Sequence, residues 1–311
     1  MTRLLTSRVS GSVASLGETG LIREIRRWLG RASPPPPYGI GDDCAVLPAA
    51  GGRRLLTVDP VIHGRHFDDS VPPASVGAKL LKRNLSDLAA MGGRPVAAVV
   101  ALALEPRVSL AWLEGFYRGL AACSLRFGVP IVGGDVAQVD GPLVATLTLL
   151  GAQAGPRILT RTGAHAGDWI YVTGRLGGSR RTGRHHSFTP RLSEGAWLVR
   201  RRSVRSMIDL SDGLAKDVMA LAPERAEPAL EPAAIPRNPG SSLAAALGDG
   251  EDFELLFTLA AGSSLQEFAR AWRRAFPATR LTRIGRFVPA GLLPPGALKL
   301  SEYRGYEHLR T

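Results

Sequence analysis

Cysteine is almost absent: Cys44 and Cys123 are the only two in 311 residues, too few for a disulfide framework or a thiolate zinc site. Lysine is scarce as well. Lys79, Lys82, Lys216 and Lys299 are the only four, so a net charge of +12 rests almost wholly on arginine. No long apolar run occurs either, since the longest, residues 96–104, has nine residues, under half of the ~20 that span a bilayer. The first residues include Arg3 and Arg8 but no apolar stretch of the ~7–15 residues found in a secretory signal, so the cytoplasm is the expected compartment. Phosphate-binding signatures are missing too. No Gly-Lys-Ser/Thr occurs, which excludes a Walker-A loop, and there is no protein-kinase catalytic loop.

What is present, 45% hydrophobic and 21% charged residues, is globular composition with length for about two domains. The positive charge admits nucleic acid, acidic membrane or phosphorylated metabolites as partners. Its densest stretch, 175–205, sets nine arginines against one acid, Glu194. Without an aromatic platform between the arginines it reads as a solvated surface element. A basic nucleic-acid-binding protein remains an alternative, but one without a recognisable binding motif.

Hydrophobic periodicity predicts an amphipathic helix over 21–31, strands at 55–59 and 96–104 around a helix at 76–91, and a second helix at 110–127. Strands follow at 130–132 and 143–150, and the composition turns loopy near 152–156. Beyond it come strands at 169–173, 206–209 and 253–259 and a helix at 213–221. The Ala/Pro/Glu-rich tract 223–239 reads as loop.

The aspartates fall in a pattern. Asp42, Asp43, Asp59, Asp135, Asp209 and Asp212 lie at or just past the ends of predicted strands, where side chains from several strands converge on one crevice. Any one of them taken alone reads equally as a turn former or N-cap. In helix 76–91, Asn84 and Asp87 interrupt an otherwise apolar face. A carboxylate buried there needs a cation or dense hydrogen bonding, an inter-helix bond being the plainer alternative. Oxygen ligands in excess, with no His/Cys cluster, suit magnesium bound through carboxylates and substrate phosphates. The segment Gly133-Gly134-Asp135 after strand 130–132, and Ser211 to Gly213 at a helix start, offer backbone amides for phosphate.

Taken together, GIGDDCAV at 39–46, VD at 58–59 with GRHF at 64–67, NLSDLAAMG at 84–92, GGD at 133–135, LTRTG at 159–163, GDWIYVTG at 167–174, IDLSDG at 208–213 and GEDFELLF at 250–257 resemble the thiamine-monophosphate kinase family, in that order. The resemblance runs from about Gly17 to Tyr306. It implies an α/β (α+β) protein with the two-domain aminoimidazole ribonucleotide synthetase-like fold, mixed sheets flanked by helices. Residues 1–153 would form the ATP- and magnesium-binding, dimerising domain, and residues 154–311 an α/β domain closing the cleft. The implied activity is ATP-dependent phosphorylation of thiamine monophosphate to thiamine diphosphate in a homodimer, by direct in-line transfer. Another ATP-dependent enzyme of the superfamily, aminoimidazole ribonucleotide synthetase-like, is the alternative.

By the same resemblance, metal ligation is expected at Asp43, Thr57, Val58 through its carbonyl, Asp59, Asp87, Asp135, Asp209 and Asp212. ATP contacts are expected at Tyr117, Gly134, Asp135, Arg161 and Ser211, and acceptor contacts at His66, Glu251 and Tyr306. Asp87, Asp209 and Arg161 would carry the catalysis. The chain departs from the family pattern at Pro60, in a shorter and more basic 175–205 segment, and at Asp249, a carboxylate placed to repel phosphate or recruit a cation.

Overall fold

Two five-stranded sheets, not one, carry the molecule. The computed structural model describes residues 41–49 and 52–307, with 15–16, 19–20, 23 and 35–38; the helix expected over 21–31, apart from Arg23, lies outside the described residues. The first sheet is ordered β1(Ala45–Ala49)-β2(Gly52–Ile62)-β5(Val144–Gln153)-β3(Gly93–Leu104)-β4(Ile131–Gln138). It is mixed: β3 and β4 run parallel and the other pairs antiparallel. The second, ordered β7(Val204–Asp209)-β9(Leu255–Leu259)-β6(Trp169–Thr173)-β10(Leu281–Pro289)-β8(Ala226–Leu230), is antiparallel throughout. The chain crosses from one sheet to the other between residues 153 and 169.

Helices α1 (Pro73–Ala90) and α2 (Leu110–Phe127) cover one face of the first sheet. Proline at the first turn of α1 needs no N–H partner, while α2 is capped by Ser109, which accepts from Trp112 N, and stopped by Gly128 in the left-handed conformation at φ 65°. Alternation decides which face they cover. Ala98, Val100 and Leu102 of β3 pack with Ala145, Leu147 and Leu149 of β5 beneath the helices, and the intervening residues point the other way. On that second face Val58 and Val99 stay exposed, at 58% and 40%.

Helix α1 is buried almost all round because it is wedged between the halves. It touches β2, β3 and β5 of the first sheet, and also β7 together with α3 (Arg184–Ser187) and α4 (Leu192–Leu198) of the second half. Near its end Ala89 and Ala90 share a core with Leu159, Tyr171, Leu198 and Phe257. The second half is completed by α5 (Leu214–Ala220), α6 (Leu243–Gly248) and α7 (Leu265–Ala275).

Three expectations are corrected. Gly133-Gly134-Asp135 does not follow a strand but lies inside β4, because β4 is extended by its parallel register with β3. The tract 223–239 contains β8 and a 3-10 turn at Pro232–Ala234; β8 pairs only with β10, and such an edge position tolerates Pro228. The arginine-rich segment is not wholly solvated. Arg184 and Arg191 both reach Glu254, which is fully buried, Arg191 with two bonds of 2.7 Å and Thr173 adding a third.

The crossing of α1 and α2 depends on two missing side chains. A Cβ on Gly77 would lie 2.0 Å from the Phe116 carbonyl oxygen, and one on Gly119 1.9 Å from that of Ala74. Gly119→Ala is therefore expected to destabilise the protein by about 1–3 kcal/mol or more, the usual penalty of overpacking, read as a lower midpoint in urea. An unchanged midpoint would refute the contact.

Candidate active site

Four separate pieces of chain meet at the junction of the halves. The loop before β1 supplies Asp43, β2 supplies Thr57 and Asp59, α1 supplies Asp87 and the end of β7 supplies Asp209. Oxygens of Asp43, Asp87 and Asp209 all lie within 4.8 Å of one another. The Thr57 hydroxyl donates to Asp87 at 2.6 Å and the Ser86 hydroxyl to Asp209 at 2.5 Å. Arg161 bonds Asp43 through Nε and Nη2 at 3.2 Å, while its backbone N–H reaches Asp42 at 2.8 Å.

Burial and the neighbouring carboxylates raise the pKa values of Asp87 and Asp209. Burial, then Asp59 and Asp209, push Asp87 well above the ordinary carboxylate range. Burial and Asp43 take Asp209 up to about 8 against the bond from Ser86. Hard oxygen donors that cannot all ionise without help are what a divalent cation such as Mg²⁺ requires. The donor set fits.

A cleft of about 600 Å³ opens beside this cluster, lined among others by Asp59, Asp87, Arg161, Ser211 and Glu251. Its rim carries paired charges. Arg83 holds Asp59 with two bonds of 3.2 and 3.3 Å, Lys216 holds Asp212 at 2.7 Å, and fully buried Lys79 holds Glu251 at 2.7 Å. Burial disfavours ionised Glu251, but Lys79 and Arg83 outweigh it and keep the carboxyl below its usual range. Glu251 and Phe253 adopt left-handed backbone at φ 53° and 50°; such strain in non-glycine residues concentrates at ligand sites.

His66 accepts the Ile62 N–H on Nδ1 at 3.1 Å, so its neutral ring carries the proton on Nε2. Tyr306 is anchored by its N–H to the Asp212 carbonyl at 2.7 Å and lies under the Arg180 guanidinium. Asp249 accepts the Gly178 N–H at 2.8 Å and lines the same cleft.

The other expected residues do not join this group within one chain. Asp135 is paired with Ala101, which is paired with Thr146 and through it with Pro60. Cross-strand partners share a face, so Asp135 lies on the uncovered side of the sheet, opposite Asp87. The Val58 side chain points that way too. Gly134 is in β4, where a Cβ would meet the Val100 carbonyl oxygen at 1.8 Å, and Tyr117 is on α2, edge-on to Phe116.

Sequence reasoning missed Lys79, Arg83 and Ser86, although Lys79, Arg83 and Asp87 recur at intervals of four along one face of α1. It also missed Asp217. This buried carboxylate accepts the N–H groups of Asp212 and Gly213 at 3.1 Å and so shapes the Ser211–Gly213 turn.

Comparison with known proteins places the chain in a family. Residues 41–152 match the family model for the N-terminal domain of AIR synthase related proteins. A thiamine-monophosphate kinase of Rhodopirellula baltica is 34% identical over 278 residues, covering 83% of this chain and 85% of the relative. This chain belongs to the thiamine-monophosphate kinase family. The Escherichia coli K12 thiamine-monophosphate kinase is 38% identical over 251 residues, covering 71% of this chain and 76% of the relative. Among solved structures, AaThiL complexed with AMPPCP and TMP superposes with a TM-score of 0.80 at 26% identity, over 96% of this chain and 98% of that one. Such family membership sets aside the aminoimidazole ribonucleotide synthetase reading. Among the described residues no helix is long and apolar enough to cross a membrane.

Stability of the metal-free protein should depend on pH through this cluster. A carboxyl whose folded pKa is about 8 instead of an ordinary ~3.9 binds more protons folded than unfolded, so its contribution is complete below pH ~4 and is lost as pH rises to about 8. In EDTA, Asp209→Asn should flatten the fall in melting temperature between pH 5 and 8, and Mg²⁺ should flatten it in the wild type. Identical slopes in all three samples would contradict the cluster's electrostatics.

Proposed function

We propose that this protein transfers the γ-phosphoryl group of ATP to the phosphate of thiamine monophosphate, giving thiamine diphosphate. The observation that carries the reading is the three-carboxylate cluster at the foot of a cleft rimmed by cations, in a chain of this family. An acceptor phosphate oxygen is already an anionic nucleophile at neutral pH, so the chemistry asks for positioning and charge compensation more than for a base. Mg²⁺ held by Asp43, Asp87 and Asp209, with Asp59 and Asp212 beside them, would supply that compensation to the phosphates. Arg161, tied to Asp43, adds a fixed positive charge, and Ser211 lines the cleft beside it, while the Asp212 and Gly213 amides of its turn are taken by Asp217. The transfer is direct and in line. His66 presents its Nε2 proton to the acceptor, and ionised Glu251 with the ring of Tyr306 faces the cationic thiazolium.

A homodimer completes the reading. The uncovered face of the first sheet bears exposed Val58 and Val99 together with Asp135, and twofold pairing through it would bury the apolar residues. It would also carry Asp135 and Gly134, and Tyr117 from α2, toward the partner's cleft. In this arrangement residues 1–153 form the dimerising domain and 154–311 the domain that closes over the site.

Asp87→Asn and Asp209→Asn should keep the circular dichroism of the wild type and lose about 10²-fold or more of the magnesium-dependent turnover. With Mg²⁺ and ATP, chromatography should show thiamine monophosphate converted and unphosphorylated thiamine left intact. ADP release without thiamine diphosphate would refute the acceptor. Two inactive variants, Asp135→Ala and Asp209→Ala, when unfolded and refolded together should regain about a quarter of wild-type activity, since half the dimers are mixed and each has one intact site. No recovery would place Asp135 in its own chain's site.

A further inference from the structure

A second cavity, larger than the cleft at about 1010 Å³, lies behind His66 and Arg180, which line both. Its walls are the outward side of α1 at Ala78 and Lys82, the facing side of α2 at Cys123 and Arg126, the loop at 64–72, and α3 with the turn before it. None of the metal cluster reaches it.

The charge of this cavity is one-sided. Arg65, Lys82, Arg126 and Arg180 line it against a single carboxylate, Asp68. Lys82 is the informative one, because it is only 8% exposed and its ammonium has no carboxylate within ion-pair distance among the described residues. It donates to the His186 carbonyl at 2.8 Å and lies over the Phe188 ring. Burial, with Arg126 nearby, lowers its pKa. A buried cation without a counter-charge is costly, and here a second cation crowds it.

The imidazoles feel the same field. Burial, then His185, Lys79 and Lys82, press His186 down to about 4 against the attraction of Glu251. Both its ring nitrogens are buried without a hydrogen-bond partner, so a polar wall stands unsatisfied beside Lys82 and Arg126, whereas Arg180 is paired with Glu251 at 3.7 Å. Small-molecule pockets run to ~300–1,000 Å³ and combine apolar surface with a few convergent polar groups. This one also has apolar lining at Phe67, Val71 and Ala78.

We infer that this cavity is a binding site for a small phosphoanion, free or esterified on a metabolite, separate from the magnesium cluster and independent of it. Lys82 and Arg126 supply the charge that holds the anion, Arg65 and Arg180 close over it, and α3 forms the wall. The short basic segment that carries α3 thereby has a use for its charge beyond the ion pairs with Glu254.

Calorimetric titration with inorganic pyrophosphate in EDTA tests this, because removing divalent cations leaves the carboxylate cluster repelling anions. One pyrophosphate per chain is expected to bind to the wild type and equally to Asp209→Asn. Arg126→Ala, a change at an exposed position, and the near-isosteric Lys82→Met should each weaken binding at least about tenfold, since each removes a charge-assisted contact to the anion. Circular dichroism on the same samples checks the fold. No binding to the wild type, or undiminished binding to both cavity variants, would overturn the inference. The titration uses neither ATP nor thiamine monophosphate, so its failure would not bear on the proposed reaction, nor would failure of the reaction bear on it.

Discussion

The constraint on which the structure turns is the mutual repulsion of Asp43, Asp87 and Asp209. Each comes from a different piece of chain, and their oxygens are held within 4.8 Å. In water such groups would separate, whereas here the backbone keeps them together. Helix α1 is the member that does so, since one surface of it packs on the first sheet, its C-terminal end packs in the core of the second half, and Asp87 lies on the face between. The glycines at its crossing with α2 and the hydroxyls of Thr57 and Ser86 serve the same requirement. They fix where the carboxylates are and satisfy part of their hydrogen-bonding capacity without removing their charge.

Around this acidic centre the fold distributes cations in two ways. Arg161, Arg83, Lys216 and Lys79 are each paired with a carboxylate of the cleft, so the rim is close to neutral and its bonds are available for exchange when charged substrates arrive. Lys82 and Arg126, one helical face away, lack such carboxylate partners among the described residues. The same helix α1 therefore separates a balanced site from an unbalanced one, and the spacing of its lysines decides which is which: Lys79 faces Glu251, and Lys82, three residues later, faces the larger cavity.

Much of this was legible in the sequence because it is local. The length of helix 110–127 follows from its Ser and Gly ends and its periodicity, and the strands at 96–104 and 169–173 follow from short apolar runs. Asn84 and Asp87 stood out because they break an apolar face, and Asp209 and Asp212 because they flank a strand end. Strand β8 was not legible, since a Pro-containing tract pairs only when an edge partner such as β10 is supplied. Nor were the roles of Arg184 and Arg191: a run of arginines looks solvated until the chain brings a buried Glu254 to it from 63–70 residues away.

The sequence by itself determined three of the seven helices among the described residues, those at Pro73–Ala90, Leu110–Phe127 and Leu214–Ala220, together with most strands and an oxygen-rich, thiol-poor donor set of the kind that suits a hard divalent cation better than zinc. These depend on residue type and short-range periodicity, which the chain carries wherever it goes. Only the tertiary structure decided which acids meet. Asp43, Asp87 and Asp209 converge, while Asp135 falls on the far side of the sheet, because the side-chain period of a strand is two and the register of β4 on β3 sets its face. It decided equally that Lys79 is paired and Lys82 is not. Pairing is a matter of distances between residues far apart in sequence, and those exist only once the two sheets have closed on the helix between them.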